Sequence, residues 1–555
     1  MKQLRRHLLQ DCSLLIVFVC LSVIPYVAWL GFYSDDWHFL GQYAVSPQQT
    51  FVGYCLELFS TPTRMLIRPM QVFYLAGLYS LFGLNPLGYH IVNTLMLATS
   101  AVAFLLVLTE LELSRHLAFG IPLVYSLLPN YATDRFLYAA FPTNLSMAGY
   151  ALGFYLALSA LRKRNSSFYV WTILSVLSLA VGSLAYDLVL PLVGLTIVIV
   201  WFRGRKLGVS FSKRFLCNLA MITVLLAVTG FKFIVAHRLL HEGHINNIHQ
   251  IKWTLVHIFD VKGEYYDSPY GFKLLRALQV NYVELGLYLP RAVYRLMSTS
   301  SLWFELCVSA GISIAAFWYV TRIFAVGSET YFRTFVASFA VFIGGYAIFL
   351  TTSYIQLTTT GMGNRVNIAA TAGVAMTLVS AAGTITGLLR SEHYRRLAFA
   401  FLISVLCFCG CFVTNGIASY YVIASQRQHA VLNSIRSQIM HLEPGTTLLL
   451  DGVCAYVGPA PVFECDWDFT GALTVLDPNR SLKGDVLKNQ TNFLPSGVRT
   501  MWYWPNTYAY GQKLLIYDYA NKELYPLPNS SARRPSALQG SVCRDELKGL
   551  GVKIF

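Results

Sequence analysis

Long apolar runs alternate along this chain with short clusters of lysine and arginine. The first run, 12–34, carries no charge and is followed at once by Ser34-Asp35-Asp36-Trp37. A helix needs about 20 apolar residues to cross a hydrocarbon core, so the run predicts a membrane span with both acids emerging at its end. Further runs at 87–108, 117–128, 145–161, 216–236, 302–320, 335–353, 368–389 and 397–415 predict one span each. The stretch 168–202 is too long for one helix and is broken by Tyr186-Asp187 and Pro191, which predicts a hairpin with a short turn. The sum is about eleven transmembrane helices. An amphipathic stretch at 70–82 reads as an interfacial helix.

Charge gives the spans an orientation. Lys2, Arg5 and Arg6 precede the first run, Arg162-Lys163-Arg164 closes the fourth, and Arg203, Arg205, Lys206, Lys213, Arg214, Arg390, Arg395 and Arg396 fill later turns of the same parity. Basic residues favour the cytoplasmic side, so the N-terminus is expected inside, and the Asp35-Asp36 loop and the C-terminus outside. The expected fold is an α-helical polytopic membrane protein with a small, mainly β C-terminal outer domain. Residues 1–418 form the membrane domain, with outer loops at 32–86 and 237–298. Residues 419–555 form the outer domain, where short alternating runs such as 446–450 and 513–517 are punctuated by Pro and Gly.

Composition agrees. Of 555 residues, 55% are hydrophobic and 12% charged, with a mean hydropathy of +0.52, against about 25% charged in a soluble domain. The net charge of +15 sits in clusters between apolar runs rather than in a continuous stripe, which reads as topology signals and headgroup contacts with membrane lipids and excludes a nucleic-acid partner. Of eleven cysteines, Cys407, Cys409 and Cys411 alternate within an apolar run, where a helix points them apart. Cys454 and Cys465 lie in the polar tail and are expected to pair in an oxidising compartment, leaving Cys543 unpaired.

Several polar residues share the outer side. Asp35 and Asp36 are either a cap region behind Ser34 or, shielded by lipid and Trp37, a general base with a raised pKa. Asp36 is the better placed of the two because it adjoins Trp37. Arg64 and Arg68, four residues apart, would grip a phosphate together if helical, although Pro69 disfavours helix at Arg68. His90 opens the second span, and Asp134, Arg135, Asp187 and Arg365 complete the polar set. His237, His241, His244 and His249 cluster on the long loop at spacings that a transition metal could use, but contact with anionic headgroups is the expected role. There is no P-loop, no dinucleotide fingerprint and no zinc spacing.

The acidic first loop, Arg68-Pro69, Phe82-Gly83-Leu84-Asn85-Pro86 and Tyr89-His90-Ile91-Val92-Asn93 resemble the GT-C superfamily of polytopic glycosyltransferases, in particular the protein O-mannosyltransferase-like branch and its bacterial relatives. The likeness covers about residues 30–100. It departs at Met96 and Leu97, where the family often has a histidine, and at Asp187, where it has a glutamate.

The resemblance implies transfer of a sugar from a polyprenyl-phosphate-linked donor to a glycan, lipid or protein acceptor at the outer face. Carried over residue by residue, Asp35 or Asp36 would be the base, and Arg68 and His90 would lie near the donor phosphate; the reading of the residues themselves adds Arg64 and Arg365 as phosphate contacts and Asp134, Arg135 and Asp187 as supporting polar groups. A divalent cation, Mg or Mn, would find its ligands in Asp35 and Asp36. The expected location is a bacterial inner membrane with the C-terminus in the periplasm. A lipid-linked glycan flippase or transporter, or a glycan polymerase, is the alternative reading.

Overall fold

The computed structural model describes residues 2–60, 64–239, 273–299, 302–325, 329–350, 357–488, 491–501 and 505–529. Helix α1 (Lys2–Val23) begins the chain. Pro25 follows, and 24–33 runs as turns and extended backbone rather than helix, so the first span ends at Val23 and not at Ser34. Four shorter elements follow: α2 (Asp35–Ala44), α3 (Phe51–Ser60), the 3₁₀ turn Arg64–Ile67, and α4 (Pro69–Phe82), which is helical as expected but apolar all round rather than amphipathic. Asn85 caps α5 (Pro86–Glu110) by accepting from the Leu87 N–H at 3.2 Å, with Pro86 at the first helical position.

The remaining long helices are α6 (Arg115–Leu127), α7 (Phe141–Ala160), α8 (Asn165–Ala185), α9 (Leu190–Lys206), α10 (Phe211–Leu239), α11 (Trp303–Ile323), α12 (Glu329–Leu350), α13 (Ile368–Gly387) and α14 (Glu392–Ile439). Among the described residues nine helices are long and apolar enough to cross a membrane, two fewer than the eleven expected. Those two are α6 and α7. Helix α6 has 13 residues, and Pro129 starts a 3₁₀ turn that ends it. Helix α7 opens on polar Thr143, Asn144 and Ser146, all buried. Both still belong to the bundle, α6 packing against α5 and α13, and α7 against α5 and α8.

The chain is a polytopic helical membrane protein whose basic turns gather at one end. Arg162 pairs with Glu110 at 3.1 Å, and Arg203 and Lys206 pair with Glu112 at 2.6 and 3.2 Å, which joins the ends of α5, α7 and α9. Arg115 binds Asp11 of α1 at 2.8 Å beside them in sequence order.

Helix α14 passes unbroken through 418/419, so the expected domain boundary falls inside a helix. Its 48 residues span roughly 70 Å at 1.5 Å per residue and carry the chain from the bundle into the outer domain. That domain holds β1 (Thr447–Asp451), β2 (Tyr456–Val457), β3 (Ala460–Pro461), helix α15 (Asp466–Leu476), β4 (Lys483–Val486), β5 (Asn492–Leu494), β6 (Gly497–Met501), β7 (Pro505–Ala509), β8 (Gly511–Asp518) and β9 (Glu523–Leu527). The main sheet runs β4-β1-β8-β9, with β1 parallel to both neighbours and β9 antiparallel to β8.

The parallel pairing needs a crossover, and α15 supplies it between β1 and β4. Successive β1 residues face opposite sides: Leu448 and Leu450 join the core shared with α15 and the membrane helices, while Leu449 joins a second core with Val498, Ile516 and Leu527. Both faces of β1 are thus covered, which is why its centre, Leu448-Leu449-Leu450, is continuously apolar. Cys454 is disulfide-bonded, but Cys465 is a free, buried thiol at the N-cap of α15. The expected Cys454–Cys465 bridge is therefore not formed. Cys543 lies outside the described residues, as do His241, His244 and His249.

Candidate active site

The site is built on the loop between α1 and α2. Ser34 precedes the first residue of α2 with φ 50° and ψ −121°, a backbone conformation that L residues avoid and that costs of order 1–3 kcal/mol. Three anchors hold it there. The Tyr33 hydroxyl donates to the Tyr421 carbonyl of α14 at 2.8 Å and accepts from the Gly31 N–H at 2.9 Å. The Asp36 carboxylate accepts the Tyr33 N–H at 2.8 Å. The Ser34 hydroxyl makes no cap bond to α2 and instead donates to Glu464 of the outer domain.

The two adjacent acids therefore differ sharply. Asp36 is fully buried, and its second oxygen accepts the Ala139 N–H at 2.8 Å. Burial pushes its pKa up to about 8 against the opposing pull of those N–H groups. Its two oxygens tie the first outer loop to the α6–α7 connection, so Asp36, expected as the better base, faces backbone rather than a cavity. Asp35 keeps a third of its side chain exposed, and its carboxylate lies 3.5 Å from the Arg365 guanidinium. A divalent cation held jointly by both acids does not fit this arrangement, because the oxygens of Asp36 are already used and point into the loops.

Arg365 stands in the 3₁₀ turn Met362–Asn367 ahead of α13. That turn is fastened to the α6–α7 connection: Asn364 accepts the Thr133 N–H at 3.2 Å and donates to the Asn130 carbonyl at 2.8 Å, and the Thr133 hydroxyl donates to the Gly361 carbonyl at 2.6 Å. Three segments distant in sequence, 33–36, 129–140 and 361–367, thus form one structure around Asp35 and Arg365.

Asp134 is fully buried behind them. Its carbonyl accepts from Asn93 and Asn144 at 3.0 and 2.7 Å, and burial raises its carboxyl pKa against Thr143, Arg365 and Arg135. Arg135 donates to the Ser126 and Leu128 carbonyls at 2.6 and 3.2 Å and lies over the Tyr131 ring. It closes the C-terminal end of α6 and is buried. His90, also buried, sits 3.3 Å from the Gly31 carbonyl and supports the loop leading to Asp35.

A second group of charges forms around Asp187 at the α8–α9 turn. Arg68 donates to one carboxylate oxygen through two nitrogens at 3.0 and 2.7 Å and lies 3.9 Å over the Tyr186 ring, and Lys232 of α10 donates to the other oxygen. Arg68 stands outside α4 as its N-cap, as Pro69 requires, and Arg64 begins the preceding 3₁₀ turn, so the two arginines do not share a helical face.

Lys232 and Glu464 were missed in the sequence. Lys232 carried a usable signal, a lone cation inside the apolar run 216–236. Glu464 carried none, because its role depends on how the outer domain docks. Glu464, Cys465 and Asp468 also lie close enough together to hold a metal ion. Both Asp468 oxygens, however, accept the Glu464 and Cys465 N–H groups at 2.7 and 3.0 Å, and both Glu464 oxygens accept hydroxyls. These donors are committed to capping α15 and docking the domain.

No family model and no curated protein matches the chain. Solved structures do. Crystal structures of ArnT from Cupriavidus metallidurans, in the apo state and bound to undecaprenyl phosphate, align at 14% identity with TM-scores of 0.36 and 0.33, over 84% of this chain and 88% and 89% of theirs. The archaeal oligosaccharyltransferase AglB from Archaeoglobus fulgidus, in complex with an inhibitory peptide and a dolichol-phosphate, aligns at 12% identity with a TM-score of 0.40, over 98% of this chain and 69% of that one.

Proposed function

We propose that this chain is a membrane glycosyltransferase of the GT-C type, moving a sugar from a polyprenyl-phosphate donor to an acceptor nucleophile at the outer face. The observation that carries the reading is the contrast between the two acids: Asp36 is spent on fixing the loop, and Asp35 is left partly exposed, 3.5 Å from Arg365. A rigid loop presenting one open carboxylate beside a cation suits base catalysis on a hydroxyl. Asp35 takes the acceptor proton as the acceptor oxygen attacks the anomeric carbon. The bond from that carbon to the phosphate oxygen breaks, and polyprenyl phosphate leaves with the electron pair. One displacement inverts the anomeric configuration.

Arg68 and Lys232, gathered by Asp187, offer charge-assisted donors for the departing phosphate. The leaving group is already good, so orientation and charge stabilisation suffice. The decisive assay supplies purified protein with a radiolabelled polyprenyl-phosphate hexose and a crude envelope extract, and measures released polyprenyl phosphate. Release that Asp35→Asn abolishes supports the reading. Transbilayer movement of intact lipid, with no cleavage by the wild-type chain, would favour the transporter instead.

A further inference from the structure

We propose that Glu464 of the outer domain is a positioning residue for Asp35, acting through Ser34: its carboxylate holds Ser34 in the backbone conformation that sets the direction of the neighbouring acid. The proposal rests on Asp35 being the base.

Glu464 is 1% exposed and stands at the point where the outer domain meets the acidic loop. One carboxylate oxygen accepts the Ser34 hydroxyl and the other accepts the Tyr456 hydroxyl. Its own backbone is fixed from both sides, since its N–H donates to Asp468 at 2.7 Å and its carbonyl accepts from Lys488. The arm is therefore rigid where it begins and bonded where it ends. Burial raises the Glu464 pKa, helped by Asp35 and opposed by Ser34, Tyr456 and Lys488.

Ser34 needs such an arm. At φ 50° and ψ −121° it lies in a region that glycine enters freely and serine does not. Removing its hydroxyl bond leaves the strain and takes away a restraint. A change of the Ser34 dihedrals rotates the next residue, Asp35, while Asp36 stays pinned by Tyr33 and Ala139. Close packing keeps the arm at the loop. A Cβ on Gly41 of α2 would come within 2.9 Å of the Gly471 Cα on α15, and one on Gly471 would overlap the Trp37 carbonyl oxygen. The helices meet backbone to backbone there, so the outer domain is seated firmly enough to direct a side chain.

The test uses the purified full chain and the donor assay above, with kcat and the donor KM measured separately. Glu464→Ala and Ser34→Ala should each lower kcat by about ten- to a hundredfold, the scale of a slight misplacement of a reacting group, with the donor KM unchanged. Because both remove the Ser34–Glu464 bond and Glu464→Ala also removes the bond from Tyr456, the double variant should be no worse than Glu464→Ala alone. Two rescues separate positioning from simple docking. Ser34→Gly should recover part of the kcat lost in Ser34→Ala, since glycine tolerates the conformation, and Glu464→Gln should recover part of that lost in Glu464→Ala. Wild-type kcat in Glu464→Ala, or Ser34→Gly no better than Ser34→Ala, overturns the proposal. If Glu464→Ala fails to fold, Ser34→Ala decides, because it leaves the contacts of Glu464 with Tyr456 and Lys488 in place; wild-type kcat there overturns the proposal. Activity in Asp35→Asn would instead overturn the assignment of the base itself.

Discussion

At the scale of the residue, the two acids at 35 and 36 predict opposite outcomes for the same substitution. Asp35→Asn removes a base at a partly exposed position and should cost roughly 10²–10⁴-fold in turnover while leaving thermal stability near wild type. Asp36→Asn keeps one acceptor where two backbone N–H groups need them, and an unsatisfied buried donor costs about 1–3 kcal/mol. It should lower the melting temperature as well as activity, and a calorimetric scan in detergent separates the two. The pH dependence follows from the same burial. With its pKa raised to about 8, Asp36 keeps its proton in the folded chain where the unfolded chain, near 3.9, has lost it. Its contribution is whole below about pH 4 and is lost as pH rises through about 8. Asp134 and Glu464, raised by burial too, act in the same sense. Melting temperature should fall between about pH 5 and pH 8, and fall less in Asp36→Asn; a rise over that range would mean that Asp36 is ionised in the folded chain. The sequence showed that an acid pair stood here but not which acid was open. That distinction depends on Ala139, more than a hundred residues away, turning its N–H toward Asp36.

At the scale of the element, apolar runs located the helices well, because a lipid-facing span must be apolar along its length whatever it packs against. They failed where protein rather than lipid surrounds the chain. Helix α6 is buried from His116 to Leu127, so its apolar character reports packing and not membrane thickness. In the outer domain, short apolar runs read as strands, and α15 went unseen because its 11 residues carry the apolar content of a strand. That helix makes the domain's main contact with the candidate site. Gly471→Ala should therefore wedge α15 away from Trp37 at a cost of about 1–3 kcal/mol and reduce activity. Gly511→Ala, in β8 of the same domain with open space around its Cβ position, should leave both unchanged. Limited proteolysis near the end of α14 reads the difference: faster cleavage in Gly471→Ala alone is expected, and equal rates in the two variants would show that the crossing bears no strain.

At the scale of the whole molecule, the arrangement is polar at both ends, but the chemistry of the ends differs. One end collects paired basic turns, with Arg162, Arg203 and Lys206 against Glu110 and Glu112. The other collects Asp35, Arg365, the Asp187 cluster and the outer domain, reached by α14. This separation was legible early, since the alternation of basic turns along the sequence already assigned them to one side. The convergence of 33–36, 129–140 and 361–367 was not, because loop–loop hydrogen bonds leave no period in the sequence. The arrangement commits the protein to one topology. Arg205→Cys, exposed at the basic end, and Lys522→Cys, exposed in the outer domain, should react with a membrane-impermeant maleimide from opposite sides in a chain whose exposed Cys307 is replaced by serine. Lys522→Cys should label in intact cells, and Arg205→Cys only after the membrane is opened. The basic end follows the cytoplasmic preference of lysine and arginine, so the reverse pattern would place Asp35 with cytosolic substrates and remove the need for a lipid-borne donor.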